Sequence, residues 1–230
     1  MNQTQFENIV ESDHYLNMLI NKQTYGIKAS IKKTSTMTPA FIDWVSPKYY
    51  DSFKNIYDRN KDKNPMTVAA VVNECFLGKP EVHEALALLF MSNVDQALAA
   101  STKFHKTVSI LKDVALEEFP KFNTAVDDLS FAAIRSIDTV EIRKKREQFA
   151  ENLLATINLL DVKSKSRSPK EFKVYEKLTA ILERMNLDGE QKEQVVSHEK
   201  IVNKKNTWYI IGVVLFILFI LIKWMLRFSR

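Results

Sequence analysis

The stretch Pro80–Ala100, PEVHEALALLFMSNVDQALAA, decides the fold class of this chain. Its centre, AlaLeuAlaLeuLeuPheMet at residues 85–91, is apolar on nearly every face of a helix. A helix that is apolar all round is typical of the middle of a protein core. Proline suits the first helical position, where its missing N–H is not needed. The stretch therefore predicts a central, buried helix.

Helix signals recur on both sides of this stretch. Four of the six prolines follow Ser, Thr or Asn, which is typical of a capped helix start. In residues 25–31 apolar and polar side chains alternate, as in an extended segment, but no partner strand is evident. We therefore expect residues 22–37 to be either extended or irregular. The starts and the apolar periodicity predict helices near residues 5–21, 47–60, 65–77, 80–100, 103–118, 121–136, 138–160 and 169–187.

A second apolar stretch, Trp208–Ile222, has the sequence WYIIGVVLFILFILI and contains no charged residue. A helix needs roughly 20 residues to cross a hydrocarbon core of about 30 Å. Residues 207–226 supply that length if the Lys223 side chain extends to the interface. Aromatic and basic residues at both ends are typical of membrane interfaces. The predicted membrane-interface residues are Lys200, Lys204, Lys205, Trp208, Tyr209, Lys223, Trp224, Arg227 and Arg230.

These patterns predict an all-α protein, in which a bundle of about seven or eight helices is followed by a single C-terminal transmembrane helix. The expected order is a helical bundle (1–161), a basic linker (162–168), an amphipathic helix packing on the bundle (169–187), a polar juxtamembrane stalk (188–206), the transmembrane helix (207–226) and a short basic tail (227–230).

The flanks of the predicted span do not determine its orientation, because basic residues lie on both sides of it. The N-terminal residues Met1–Glu7 lack the basic and apolar regions of a signal peptide. The one cysteine, Cys75, lies in an apolar context that favours a buried, inert thiol, and cysteine poverty suits a reducing compartment. We therefore expect a single-pass, tail-anchored protein with a cytosolic N-terminal domain. We expect the membrane to be that of the endoplasmic reticulum, the outer mitochondrial membrane or a virion membrane.

No residue pattern in the chain is typical of an enzyme or a metal site. The adjacent acids Glu117–Glu118 and Asp127–Asp128 do not share a helix face, so they make poor catalytic pairs. No glycine-rich phosphate loop is present, and no histidine lies in a metal-ligand spacing. We therefore expect no catalytic residue, cofactor or metal. The four histidines are His14, His83, His105 and His198.

Basic charge is concentrated next to the predicted span. Residues 1–162 carry 19 Lys and Arg against 21 Asp and Glu, whereas residues 163–206 carry 11 against 7. A nucleic-acid-binding domain would carry the positive charge itself, so we expect no nucleic-acid partner. Juxtamembrane Lys and Arg gain about 1 kcal/mol each beside anionic lipid, so the linker and stalk either contact anionic headgroups or stay solvated. The run Arg143–Arg146 wraps around its helix and predicts a solvated flank.

The functional expectation rests on architecture, since no chemical site is evident. We expect a non-catalytic, tail-anchored membrane adaptor or scaffold whose helical domain binds a protein partner at the membrane face. One alternative is a structural membrane protein of a viral particle, because 25 Lys against 8 Arg suggests an AT-rich genome. Another is a helical-bundle apoptosis regulator. The layout is similar to that of the apoptosis-regulator family, although the Asn-Trp-Gly-Arg signature of that family is absent.

The apolar run predicts stable membrane anchoring. The full chain should sediment with membranes and resist extraction by alkaline carbonate, because leaving the lipid would expose the run to water. A chain truncated after Asn206 should be soluble under the same treatment. Carbonate resistance of the truncated chain would show that another segment inserts.

Overall fold

The computed structural model describes residues 3–111, 114–160, 169–185, 187 and 189–228, and these residues contain helices, turns and loops but no strand. The all-α prediction is therefore confirmed. Within the described ranges only the backbone is described for residues 169, 170, 205, 206, 208, 209, 211–215 and 218–228. The predicted linker at 162–168 lies outside the described residues.

The chain divides into two units, Met1–Leu159 and Leu160–Arg230. The described residues of the first unit form eight α-helices: α1 (Gln3–Ser12), α2 (His14–Ile20), α3 (Pro39–Asn60), α4 (Pro65–Val72), α5 (Pro80–Ile110), α6 (Ala115–Ala125), α7 (Asp128–Ser136) and α8 (Val140–Leu159). A 3-10 turn, Cys75–Leu77, joins α4 to α5. The second unit contains α9 (Pro169–Glu183) and α10 (Gly189–Phe228).

The helix α5 is the centre of the first unit, as predicted, because it contacts α6, α7 and α8. Its side chains Leu86, Phe90 and Val94 are buried. The predicted burial of this helix is incomplete, since Leu88 is 86% exposed and Leu89 is 41% exposed. One face of this long helix is therefore left uncovered by the other helices of its unit.

The predicted break in α5 near residues 101–102 is wrong, and the helix continues to Ile110. The hydroxyls of Ser101 and Thr102 both donate to the Leu98 carbonyl, at 2.8 and 2.9 Å. Ser and Thr can bond back to the preceding turn in this way without ending a helix. The extra turns place Phe104 against Phe122 of α6, with ring centroids 4.9 Å apart.

Proline misleads the sequence prediction in α3, which begins at Pro39 and passes through Pro47. Thr38 caps the helix by accepting a hydrogen bond from the Phe41 N–H at 3.3 Å. Ser46 was expected to cap a helix starting at residue 47, but its Oγ accepts instead from the Lys79 N–H, at 2.9 Å. Ser46 thus lies inside α3 and accepts a hydrogen bond from Lys79, the residue before α5.

The predicted boundary between helices 103–118 and 121–136 is also wrong, because α6 runs through Pro120. The helix that follows begins at Asp128, where the Asp127 carboxylate accepts from the Ser130 N–H at 2.7 Å. Asp is among the preferred N-cap residues, so this cap gives a local reason for the later start.

Arg146 of α8 is 5% exposed, so the prediction of a solvated basic flank is wrong for this residue. Its Nε donates to the Ile134 carbonyl at 2.8 Å, and its Nη2 donates to the Ile137 carbonyl at 2.7 Å. The last carbonyls of a helix have no partner within the helix itself. The guanidinium therefore supplies the hydrogen bonds that the C-terminal end of α7 lacks.

Replacing Arg146 should destabilise the first unit strongly. The change Arg146→Met keeps an apolar stem but leaves two buried carbonyls without these donors, and we expect it to lower the free energy of unfolding by about 3 kcal/mol. The matched control is Arg143→Met, which removes a half-exposed arginine paired with Asp138 at 3.2 Å. It should cost under about 1 kcal/mol. Urea denaturation followed by circular dichroism measures both, and equal losses would contradict the capping role.

Candidate functional site

The helix α10 joins the predicted stalk and the predicted span in one element of 40 residues. It begins at Gly189, whose φ of +57° is a left-handed conformation that glycine adopts without strain. This helix start lies next to the boundary predicted between the amphipathic helix (169–187) and the stalk (188–206), and α10 continues without a break from the stalk into the apolar run. Residues of the stalk and of the apolar run consequently share one helical axis.

Two of the nine predicted membrane-interface residues, Lys200 and Lys204, have described side chains, and both are exposed on α10. Of the apolar run, Ile210, Phe216 and Ile217 are described and are 61%, 64% and 50% exposed. In the described part of the chain no helix is long and apolar enough to cross a membrane. The remaining predicted interface side chains lie outside the described residues, and these are Lys205, Trp208, Tyr209, Lys223, Trp224, Arg227 and Arg230.

The second unit is a hairpin in which α9 and α10 contact each other. Tyr175 Oη and His198 Nδ1 share a hydrogen bond of 2.8 Å, and burial raises the pKa of the Tyr175 hydroxyl to about 12. Apolar side chains from both helices, including Leu178 of α9 and Val195 of α10, are buried. A shallow groove remains along the hairpin, with Val196 on its wall. Val196 itself is 40% exposed.

A buried carboxyl in the first unit was not found from the sequence. Glu74 is 3% exposed, and its Oε1 accepts from the Tyr25 hydroxyl at 2.6 Å and from the Ile31 N–H at 3.1 Å. Both donors belong to the segment between α2 and α3, which is irregular, one of the two predicted alternatives. Burial raises the pKa of Glu74, and the two hydrogen bonds oppose that rise. No sequence signal joins these residues, because Glu74 lies more than forty positions beyond both donors.

Neighbouring polar groups tie α4 to the end of α7. The Asn73 Oδ1 atom accepts from Arg135 Nη2 at 2.9 Å and from the Ser136 hydroxyl at 3.1 Å. The Cys75 thiol donates to the Ser136 carbonyl. Burial raises the pKa of Cys75 to about 12, so the thiol stays protonated at neutral pH and is a poor nucleophile. The prediction that this thiol is buried is confirmed.

His83, His105 and His198 make hydrogen bonds with different partners in different parts of the chain. His83 Nδ1 accepts from the Asp138 N–H at 2.9 Å, and burial lowers the pKa of His83. His105 Nδ1 lies 3.2 Å from the Thr156 hydroxyl, in another part of the first unit. Over the described ranges no three His, Cys, Asp or Glu residues are placed to hold a metal ion. These polar contacts join helices to one another.

No family model, no curated protein and no solved structure matches this chain.

The buried Glu74 carboxyl should make stability depend on pH. Since its folded pKa is raised, its contribution is fully present below the ordinary glutamate pKa and is lost as pH rises through the folded pKa. The change Glu74→Gln keeps an acceptor oxygen but no charge. The variant should match the original chain near pH 4 and become the more stable of the two as pH rises. Urea titrations from pH 4 to 8 measure this difference.

The matched control for this titration is Glu11→Gln, which removes an exposed carboxyl from α1. A difference between Glu74→Gln and the original chain that stays constant with pH would contradict the assigned role of Glu74. If Glu11→Gln changes the free energy of unfolding with pH in the same way, the change in net charge alone accounts for the effect.

Proposed function

We propose that this chain is a non-catalytic, tail-anchored adaptor or scaffold, whose helical domain binds a protein partner at the membrane face. The observation that carries the proposal is the unbroken course of α10 from the polar stalk into the apolar run. A rigid connection of this kind suits a protein that must present a folded domain beside a bilayer. Catalysis is not part of the proposal, because the buried charged residues Glu74 and Arg146 are engaged in hydrogen bonds that join separate segments of the first unit.

Membrane insertion of residues 207–226 is supported by the sequence of the run and by its exposed side chains. Ile210, Phe216 and Ile217 are at least half exposed, although water makes such exposure unfavourable by about 25 cal/mol for each Å² of apolar surface. A bilayer, or another helix within the bilayer, would cover this surface without any rearrangement of α10. The basic residues at both ends would then lie near the two headgroup layers.

The continuous helix also suggests how the stalk meets the lipid. At 1.5 Å per residue, Lys204, Lys200 and Lys192 lie about 6, 12 and 24 Å along the axis from residue 208. Charges are screened over about 8 Å at physiological salt, so Lys204 is close enough to sense anionic headgroups and Lys192 is not. The stalk would rise from the membrane instead of lying along it. We place the N-terminal domain in the cytosol, because a single cysteine among 230 residues suits a reducing compartment.

An upright stalk predicts that contact with headgroups falls steeply along α10. We expect a fluorophore at residue 204 of the full chain to be quenched strongly by headgroup-spin-labelled lipid, a fluorophore at 200 weakly and one at 192 very little. The measurement uses neutral-lipid vesicles, so that charge does not draw the stalk down. Equal quenching at all three positions would show that the stalk lies on the surface.

Proximity labelling from the N-terminal domain tests the adaptor function against its alternatives. We expect a reproducible set of cytosol-facing organelle proteins, lost when the domain is removed and the anchor retained. Labelling of capsid or envelope proteins would favour a structural role in a viral particle. Cell-death modulation that depends on a groove of the bundle would favour an apoptosis regulator. Labelling that is identical for the complete chain and for the anchor alone would contradict a partner-binding domain.

A further inference from the structure

The exposed face of α10 carries a stripe with a period of seven residues. Val196, Asn203, Ile210 and Ile217 are all exposed, and the three apolar members are 40%, 61% and 50% exposed. Seven residues bring a straight helix back to the same face with a drift of about 20°. The four side chains therefore project within about 60° of one another. Apolar residues at this spacing are typical of a helix that pairs with another helix.

Charged residues flank the stripe in a self-complementary order. At about 100° per residue, Lys192 and Glu199 lie on one side of it, and Glu193 and Lys200 lie on the other. In the described part of the chain none of the four takes part in an ion pair within 4.0 Å. Glu199 accepts a hydrogen bond of 3.4 Å from Asn203. Each flank thus carries one acid and one base, in opposite order.

We propose that α10 pairs with α10 of a second copy of this chain, in parallel and around a two-fold axis, through the stripe from Val196 to Ile217. A parallel two-fold places one flank of a helix against the opposite flank of its mate. Lys192 then faces Glu193 of the partner subunit, and Glu199 faces Lys200 of the partner subunit. Each pair occurs twice, so four ion pairs of matched sign border the apolar contact.

Asn203 selects the register and number of helices. It occupies the same stripe as the apolar residues, and the two-fold brings it opposite its own equivalent. A polar Asn at one such position of a parallel helix pair specifies register and oligomeric state at some expense of stability. The ion pairs and Asn203 therefore favour the same alignment, with equal residues at equal heights. The parallel direction rests on the proposed function, because two C-terminal anchors in one membrane must point the same way.

Cysteine cross-linking of the full chain in neutral-lipid vesicles tests the contact. Val196→Cys and Asn203→Cys should each form a disulfide-linked dimer on mild oxidation, since a residue on the axis meets its own equivalent. The controls Gln194→Cys and Ile201→Cys are also seven residues apart but lie on another face of α10, and they should remain monomeric. The unaltered chain reports any contribution of the buried Cys75. Equal cross-linking at all four positions, or none at 196 and 203, would overturn the proposal.

Charge reversal tests the facing pairs independently. Replacing both Lys192 and Lys200 by Glu should lower the association constant of the dimer by about tenfold, because each favourable ion pair becomes a repulsion of similar size. Adding Glu193→Lys and Glu199→Lys should restore it to within about threefold, since every facing pair is again of opposite sign. Failure of the fourfold variant to recover, with helicity by circular dichroism unchanged, would exclude these pairs.

Sedimentation equilibrium in detergent measures the dimerisation constant and separates this inference from the anchoring proposal. A chain that dimerises in detergent but is extracted by carbonate would keep the pairing and overturn the anchor. A chain that resists carbonate but stays monomeric in both detergent and vesicles would keep the anchor and overturn the pairing.

Discussion

The fold of the first unit depends on hydrogen bonds to polar groups that are buried where helices end. Arg146 donates to two carbonyls at the end of α7, and the guanidinium is itself almost completely buried. A buried charge is tolerated only where its hydrogen bonds are made, so α8 must lie where this arginine reaches α7. Because α5 contacts α6, α7 and α8, the same requirement helps to align the helices around the central one.

Glu74 applies the same principle to a segment without regular structure. The irregular chain between α2 and α3 forms no ladder of backbone hydrogen bonds, yet Tyr25 and Ile31 within it are buried. One carboxyl oxygen accepts from both residues and connects the segment to the turn after α4. The neighbouring Asn73 and Cys75 contact the end of α7. Three consecutive residues thereby join separate parts of the first unit, which makes this turn a structural junction.

The second unit has a different character, because its longest helix carries more apolar surface than its one neighbouring helix covers. Along α10, Val195 and Val202 are buried, whereas Val196, Ile210 and Ile217 are exposed. The two surfaces that we propose for α10, towards lipid and towards a second copy, both follow from this excess. Because α10 is continuous from the stalk into the apolar run, the orientation of the apolar run also sets the orientation of the stalk.

The sequence by itself determined the helical class and the central position of α5. Both features follow from apolar periodicity and from the helix-start signals that recur along the chain. Only the tertiary structure decided that Ser46 accepts a hydrogen bond from Lys79 and that Arg146 is buried. It also decided that Glu74 accepts hydrogen bonds from Tyr25 and Ile31. Each of these contacts joins residues that lie in different structural elements. Their partners become apparent only when the helices are assembled, because a polar side chain has the same local signature whether it meets water or a buried backbone group.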